Sequence, residues 1–132
     1  QFFGCDGMDG ILSVDGFDES LAEGLMLLTP FSVDEESSQD FVTAYRDAYG
    51  IDPLQFAADA YDGVYAIKAA AEKAEITPDM STSDICDAQK TAMTEIQIDG
   101  LTGTEMHWTA EGEPQKAPKA VEIKDGKYEM MQ

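Results

Sequence analysis

Asp6 is the residue whose neighbours make it the best candidate for binding chemistry in this sequence. It follows residues 1–3, where Phe2-Phe3 is typical of the end of a buried strand, and it lies in the glycine-rich turn Gly4-Cys5-Asp6-Gly7. Proteins with an α/β fold place ligand-binding groups just beyond the carboxyl ends of their strands. A carboxylate at such a point can pair with a ligand ammonium group. It can equally accept a hydrogen bond within its own turn, and both interpretations remain open here.

Three glycines at period three, Gly4, Gly7 and Gly10, are compatible with a phosphate-binding loop. Such a loop needs a Lys and a Ser or Thr at defined spacing after the glycines, and none follows. Asp6 and Asp9 would also repel a phosphate group. We therefore expect the glycines to serve close backbone approach or a left-handed turn.

The chain lacks residues with the spacing of a catalytic or metal centre. No Gly-x-Ser-x-Gly elbow is present, and the single histidine, His107, lies beside Trp108 on a predicted strand with no partner to orient it as a base. Cys5 and Cys86 lie outside any C-x-x-C motif, so two unpaired thiols are expected, with one disulfide as the alternative in an exported protein. Residues 15–18 lack the spacing of a calcium loop. We expect no enzyme activity, no metal and no cofactor.

Charge is the most unbalanced property of the composition. The 132 residues include 27 acidic and 8 basic side chains, a formal net charge of −19. Such a chain repels nucleic-acid phosphates, so nucleic-acid binding is excluded. An apolar fraction of 43% suits a globular protein, and no window is apolar over the length of a membrane span. The beginning of the sequence lacks the features of a signal peptide, and we expect a fragment of a longer protein.

The predicted elements are organised around a helix pair over residues 38–74. Phe41, Tyr45 and Tyr49 form an aromatic stripe at i+4 spacing, which we expect in the core, and Gly50 marks the end of the first helix. Asp52 is the predicted N-cap of the second helix, with Pro53 at its first position and Gln55 completing a capping box.

The second helix is alanine-rich, with one predicted buried stripe: Phe56, Ala60, Val64, Ile67, Ala71 and Ala74. Because the first turns of a helix often line a cleft, Phe56 is also a candidate cleft residue. For Tyr61 we expect packing.

The remaining elements indicate an α/β fold with three main helices, short strands and a C-terminal β-hairpin. Residues 25–28 are an apolar run between Gly24 and Pro30, typical of a fully buried, parallel-type strand. A third helix is predicted over residues 82–96 and a strand over residues 104–109. Asp125-Gly126 between two alternating segments predicts a tight hairpin.

Three blocks of the sequence, in this order, resemble the C-terminal part of type 1 periplasmic binding proteins. This group includes the branched-chain amino acid receptors of ABC transporters. The blocks are Phe3-Gly4-Cys5-Asp6-Gly7 with Glu23-Gly24-Leu25 and Thr29-Pro30; Phe41-x-x-x-Tyr45-x-x-x-Tyr49-Gly50-x-x-Pro53 with Ala60-Tyr61-Asp62-Gly63-Val64; and Asp99-Gly100-Leu101-Thr102-Gly103-Thr104 with Glu111-Gly112-Glu113. The resemblance runs essentially from end to end.

The resemblance implies a fragment of a fold with two α/β lobes that close on a ligand. Residues 1–30 would belong to the second lobe, residues 31–117 to the first, and residues 118–132 would return to the second as the hairpin. Much of both sheets would lie outside the chain. Exposed strand edges would then favour self-association of the fragment.

The resemblance also implies a function and a site. Asp6 matches the acidic residue that pairs with the ligand α-amino group in amino-acid-binding members, where some relatives have the longer Glu. Phe56 matches an aromatic residue near the cleft. The implied protein is the substrate-binding component of an ABC importer for branched-chain or related amino acids. It would be extracellular or periplasmic, tethered to the membrane, and would deliver its ligand to an ABC permease. A sensory receptor ectodomain of the same fold is the main alternative, and a small α/β enzyme is a third.

Overall fold

The computed structural model describes residues 2–131, and the predicted strand residue Gln1 lies outside them. The chain divides into two compact units, one formed by residues up to Ala58 together with those from Ala117 onward, the other by Asp59–Lys116. The helices are α1 (Gln39–Tyr49), α2 (Gln55–Lys73) and α3 (Thr82–Met93), and the strands are β1 (Phe3–Gly4), β2 (Met26–Thr29), β3 (His107–Trp108), β4 (Pro114–Gln115), β5 (Lys119–Lys124) and β6 (Lys127–Met130). Among residues 2–131, none of the helices has the length and apolarity that a membrane span requires.

The first unit is built on a mixed four-stranded sheet in the order β1-β2-β5-β6. β2 runs parallel to β1, as expected, and antiparallel to β5. The prediction that β2 is fully buried is wrong, because Leu27 is 1% exposed while its neighbour Leu28 is 40% exposed. Neighbouring side chains of a strand point to opposite faces, and residues 2–131 pack against one face of this sheet only. On that face Ala22, Leu25, Leu27, Val121 and Ile123 form the core.

The C-terminal hairpin forms as its turn residues predict. β5 and β6 pair antiparallel with Lys124 opposite Lys127. Asp125 and Gly126 between them have φ values of 49° and 71°. Positive φ at both central residues is the requirement of a type I′ turn, which Asp-Gly meets at little steric cost.

Helix α1 ends where the sequence predicts. Gly50 has a φ of 71°, and its N–H donates to the carbonyl of Arg46 at 2.8 Å. The aromatic stripe is present as a series of ring contacts, with centroids 5.8 Å apart for Phe41 and Tyr45 and 4.6 Å apart for Tyr45 and Tyr49. The expectation that it lies in the core is wrong for Tyr49, which is 68% exposed at the end of the stripe.

Helix α2 begins later than predicted, and it is capped differently. It starts at Gln55, and the carbonyl of Leu54 accepts its first hydrogen bonds, from the N–H groups of Ala57 and Ala58. Asp52 is therefore not the N-cap; its carboxylate instead forms an ion pair with Arg46.

The predicted buried stripe of α2 is also wrong. Phe56, Val64 and Ile67 are 54%, 65% and 58% exposed. The buried side chains of α2 are instead small or polar: Gln55, Ala58, Asp62, Ala66 and Ala70. Small side chains let neighbouring segments approach the helix closely, and the two polar ones receive hydrogen bonds from other segments.

The second unit packs the rest of α2 against α3 and the segment that follows. Its core consists of Ala70, Ala92 and Ile96, and Trp108 packs against it. α3 begins at the Ser81 N-cap, whose hydroxyl accepts from the N–H of Asp84, and ends at Met93 instead of residue 96, because residues 94–95 turn back on the helix. The strand predicted over residues 104–109 is reduced to His107–Trp108, with one bridge between Ile98 and Met106.

The carboxylate of Asp62 holds the turn at residues 100–102 in the second unit. Asp62 is 6% exposed and accepts hydrogen bonds from the N–H of Leu101 at 2.9 Å, the N–H of Thr102 at 2.8 Å and the Thr102 hydroxyl at 2.7 Å. Lys116 joins this network through the Thr102 hydroxyl at 3.0 Å and the Asp59 carboxylate at 2.8 Å. Two sequence blocks that are far apart in the chain are thereby joined.

Candidate functional site

The turn after β1 presents the carboxylate of Asp6 to solvent. Asp6 begins a single 3-10 turn, Asp6–Met8, closed by backbone hydrogen bonds from Met8 to Cys5 at 2.9 Å and from Asp9 to Asp6 at 3.0 Å. The side chain of Asp6 is exposed, and within residues 2–131 its carboxylate accepts no hydrogen bond. The alternative in which Asp6 stabilises its own turn through its side chain is therefore wrong. The backbone closes the turn and leaves the charge available.

Gln55 connects this turn to β2 and α2. The side chain is 2% exposed, and its amide nitrogen donates to the carbonyl of Asp6 at 3.0 Å. Its amide oxygen accepts from the Thr29 hydroxyl at 3.3 Å. The backbone N–H of Gln55 donates to the Asp9 carboxylate at 2.7 Å. An acceptor with negative charge at a helix N-terminus satisfies a free N–H and interacts favourably with the helix dipole.

Gln55 and Asp9 are residues of the candidate site that the sequence interpretation missed. The sequence pattern predicts that Gln55 completes a local capping box. For Asp9 it predicts only that the carboxylate would repel a phosphate group. The only hint in the sequence is that Gln55 stands at the start of a helix. Asp52 and Pro53 already account for a helix start there, so Gln55 needs no further role in the local pattern. Their partners lie 46 and 49 residues away in the sequence, beyond any local pattern.

Phe56, the second residue of α2, is 54% exposed. One peptide bond joins it to Gln55, whose side chain is hydrogen-bonded to Asp6. Both predicted site residues thus lie in the first unit, where Asp6 has an exposed carboxylate and Phe56 an exposed aromatic ring. A carboxylate of this kind can pair with an ammonium group, and an exposed aromatic ring can pack against an apolar group.

Tyr61 does not lie in a packed interior, contrary to expectation. It is 42% exposed in the second unit, and its ring stacks obliquely on Tyr65 with centroids 4.9 Å apart. The two hydroxyl groups are 3.3 Å apart, and this hydrogen bond is the main reason that the pKa of Tyr61 is raised.

The first unit also contains a cavity of about 440 Å³ that Gln55 helps to line. It is lined by Asp9, Thr29, Phe31, Gln55 and Tyr128 among others, and neither Asp6 nor Phe56 lines it. Some of its polar groups are engaged within the protein: Arg46 with Asp52, and the Tyr128 hydroxyl with the N–H of Gly10 at 3.1 Å. Burial raises the pKa of Tyr128, and the nearby Asp9 charge adds to the effect.

The residues considered for catalysis and metal binding do not converge. His107 is exposed, with its Nδ1 3.0 Å from the carbonyl of Glu105, and Cys5 and Cys86 are exposed free thiols. Across residues 2–131, no three His, Cys, Asp or Glu side chains are grouped so that they could hold a metal ion.

Comparison with known proteins connects this geometry to a family. A family model described as periplasmic binding protein matches residues 7–127. Comparison with curated proteins gave no match.

Several solved structures share the fold. The branched-chain amino acid transporter substrate-binding protein LivJ from Streptococcus pneumoniae, in complex with isoleucine, is 25% identical with a TM-score of 0.74, over 96% of this chain and 35% of its own. An ABC transporter substrate-binding protein from Desulfitobacterium hafniense, in complex with Leu, is 25% identical with a TM-score of 0.68, over 86% of this chain and 33% of its own. An ABC transporter solute-binding protein from R. palustris, in complex with benzoate, is 20% identical with a TM-score of 0.69, over 93% of this chain and 32% of its own, and supports the fold alone.

This chain spans about a third of the length of these proteins. Its helices and short strands match part of the two-lobed α/β fold. Because the family model covers most of the sequence, the chain belongs to the periplasmic binding protein family.

Proposed function

We propose that this chain is part of the substrate-binding protein of an ABC importer, and that the intact protein captures a branched-chain or related amino acid. The observation that carries the proposal is the exposed Asp6 carboxylate, in a turn whose Asp6 carbonyl accepts a hydrogen bond from Gln55, the residue before the exposed Phe56. Leucine and isoleucine are bound by two structural neighbours that are 25% identical to this chain. Capture and release of such a ligand need no covalent chemistry, and we propose that the protein is not an enzyme.

Each part of the amino acid has a counterpart in this proposal. The ligand ammonium group pairs with the Asp6 carboxylate, which no other described side chain neutralises. The aliphatic side chain lies against the ring of Phe56. The ligand carboxylate is held by residues outside this chain. A charge-assisted hydrogen bond of this type contributes about 1.5–3 kcal/mol to binding.

The charge of Asp6 selects the ligand class. A ligand with a carboxylate and no amine, such as the benzoate bound by a neighbour with 20% identity, would be repelled by Asp6 and would leave it unpaired. Amino acids should therefore bind this protein much more tightly than the corresponding carboxylic acids.

The lobe assignment and the location follow as parts of the same proposal. Residues 1–30 contribute to the second lobe, residues 31–117 to the first, and residues 118–132 return to the second. The intact protein lies outside the cytoplasmic membrane, tethered to it by a lipid anchor, and delivers its ligand to an ABC permease.

Calorimetry on the intact protein tests the proposal. We expect leucine, isoleucine or valine to bind, and 4-methylpentanoate, which is leucine without its amine, to bind at least tenfold more weakly. Asp6→Ala should weaken binding of the amino acid by about 10- to 150-fold, the range that corresponds to one lost charge-assisted hydrogen bond.

The matched control is Asp15→Ala, which removes an exposed carboxylate from a nearby loop and should leave affinity unchanged. Equal binding of leucine and 4-methylpentanoate would contradict the ammonium assignment. Unchanged affinity in Asp6→Ala would remove Asp6 from the site.

A further inference from the structure

The side-chain amide of Gln55 is buried and hydrogen-bonded at both of its ends. Gln55 is 2% exposed. Its amide nitrogen donates to the carbonyl of Asp6 at 3.0 Å, and its amide oxygen accepts from the Thr29 hydroxyl at 3.3 Å. The Thr29 hydroxyl is itself held on β2, because its oxygen accepts from the N–H of Phe31 at 3.3 Å. An amide engaged at both ends keeps one orientation, so the donor that faces Asp6 has a fixed position.

The carbonyl of Asp6 is the point where this amide meets the turn after β1. The turn lies between Gly4 and Gly10, and glycine gives a backbone more conformations than any other residue. The same carbonyl accepts the hydrogen bond that closes the turn, from the N–H of Asp9 at 3.0 Å. A carbonyl oxygen has two lone pairs, and both are used here. One atom therefore closes the turn and joins it to the buried start of α2.

Two further contacts hold the end of this turn against the start of α2. The carboxylate of Asp9 accepts from the backbone N–H of Gln55 at 2.7 Å. Gly10 lies so close to Leu54 that a Cβ added to Gly10 would be 2.6 Å from a methyl carbon of Leu54. The segment from Asp6 to Gly10 is thus attached to the start of α2 at three points, of which the Gln55 amide is the one at Asp6.

We propose that Gln55 is a positioning residue for ligand recognition, which fixes the backbone of Asp6 so that the carboxylate is in place to pair with a ligand ammonium group. This inference rests on the proposed function, in which Asp6 binds that group. The Asp6 carboxylate accepts no hydrogen bond from residues 2–131, so its position there depends on the backbone that carries it. A group that is held in place before the ligand arrives loses less conformational entropy on binding.

A positioning role of Gln55 predicts an effect on ligands with an ammonium group and not on others. Leucine pairs with Asp6, whereas 4-methylpentanoate has no amine and does not. Loss of the Gln55 amide should weaken leucine binding by about three- to tenfold, which corresponds to the ordering of one side chain, and should change 4-methylpentanoate binding by less than about twofold. The ratio of the two affinities therefore falls. A substitution that only lowers stability leaves this ratio unchanged in the folded protein.

Calorimetry with both ligands on variants of the intact protein tests the inference, at a temperature where circular dichroism shows each variant to be folded. Gln55→Met keeps the length of the side chain and removes the amide. Thr29→Val leaves the amide in place and removes the donor to its oxygen, so a smaller fall of the affinity ratio, about twofold, is expected. Thr102→Val is the matched control. It removes a buried hydroxyl that donates to Asp62 at 2.7 Å in the second unit, and should leave the ratio unchanged.

A double-mutant cycle with Asp6→Ala separates this inference from the proposed function. Because Gln55 acts through Asp6, Gln55→Met should have no further effect on leucine affinity once the Asp6 carboxylate is removed. Equal losses with and without that carboxylate would overturn the positioning role and leave Asp6 in the site. An unchanged affinity ratio in Gln55→Met, or in Thr29→Val if the first variant does not fold, would do the same. Unchanged leucine affinity in Asp6→Ala alone would overturn the proposed function and this inference together.

Discussion

Replacing Asp62 should destabilise the second unit more than any other single carboxylate change described here. Its carboxylate accepts three hydrogen bonds, at 2.9, 2.8 and 2.7 Å, from two backbone N–H groups and one hydroxyl. Thr102, which supplies two of them, is 1% exposed. Asp62→Ala removes the acceptor and leaves buried donors unsatisfied, at a cost of about 1–3 kcal/mol for each.

The size of the stability loss in Asp62→Ala depends on which of the three donors can form a hydrogen bond with another acceptor. The Thr102 hydroxyl can rotate, whereas the N–H of Thr102 is buried and the N–H of Leu101 is half-buried. We expect Asp62→Ala to lower the free energy of unfolding by about 3–5 kcal/mol. Asp62→Asn should cost about 1–2 kcal/mol, because either orientation of the amide directs its NH2 group at a donor.

Urea unfolding followed by circular dichroism measures these differences. If the dependence of the free energy of unfolding on urea concentration has the same slope in each variant, the shift in the urea midpoint gives the change in stability. Asp87→Ala, at an exposed position of α3 in the same unit, is the control and should change stability by less than about 0.5 kcal/mol. Gly100→Ala is an independent check, because a Cβ there would lie 2.6 Å from the Asp62 carboxyl atoms. If Asp62→Ala matched the Asp87 control, the carboxylate would not be holding the turn.

Three further predictions concern the first unit. Gln55→Leu should lower unfolding stability by about 1–3 kcal/mol, since Asp6 and Thr29 lose a buried partner; an unchanged urea midpoint would contradict this. Gly50→Ala should cost about 1 kcal/mol, because the φ of 71° strains a residue with a Cβ; a thermal midpoint equal to that of the unmodified chain would refute it. The hydrogen bond from Arg46 lowers the pKa of Asp52, so the stability from this pair is complete above about pH 4 and is lost as the pH falls through the lowered pKa. Arg46→Ala should therefore reduce the acid sensitivity of unfolding below pH 4, and only slightly, because the pair is about half exposed and screened by solvent; identical acid profiles would exclude the pair as a contributor.

Local signals in the sequence located most elements correctly. Gly50 ends α1 and Asp125-Gly126 forms the hairpin turn, as predicted. The preference of these residue types for positive φ is local and needs no distant partner. The apolar run at residues 25–28 formed a strand paired with β1, as expected. The family and its α/β fold also followed from residue blocks in order.

The buried face of α2 was mispredicted because a helix with two candidate faces does not reveal which one its neighbours contact. The more apolar face, with Val64 and Ile67, is exposed, and the face with Asp62 and Ala70 is buried. The carboxylate is tolerated there because donors of Leu101 and Thr102, about 40 residues away, approach it. A prediction from the spacing of apolar residues along α2 cannot take account of hydrogen-bond donors in a distant segment.

The sequence by itself determined the end of α1, the hairpin turn, the absence of a nucleic-acid-binding charge pattern and the nomination of Asp6 and Phe56. Only the tertiary structure decided that the Asp6 carboxylate accepts no hydrogen bond from the described residues 2–131, and that Gln55 links its turn to α2 and to Thr29. The physical reason is the range of the interactions. Turn and helix-end preferences act within a few residues, whereas the contacts of Gln55 join segments 26 to 49 residues apart, and only the folded chain brings them together.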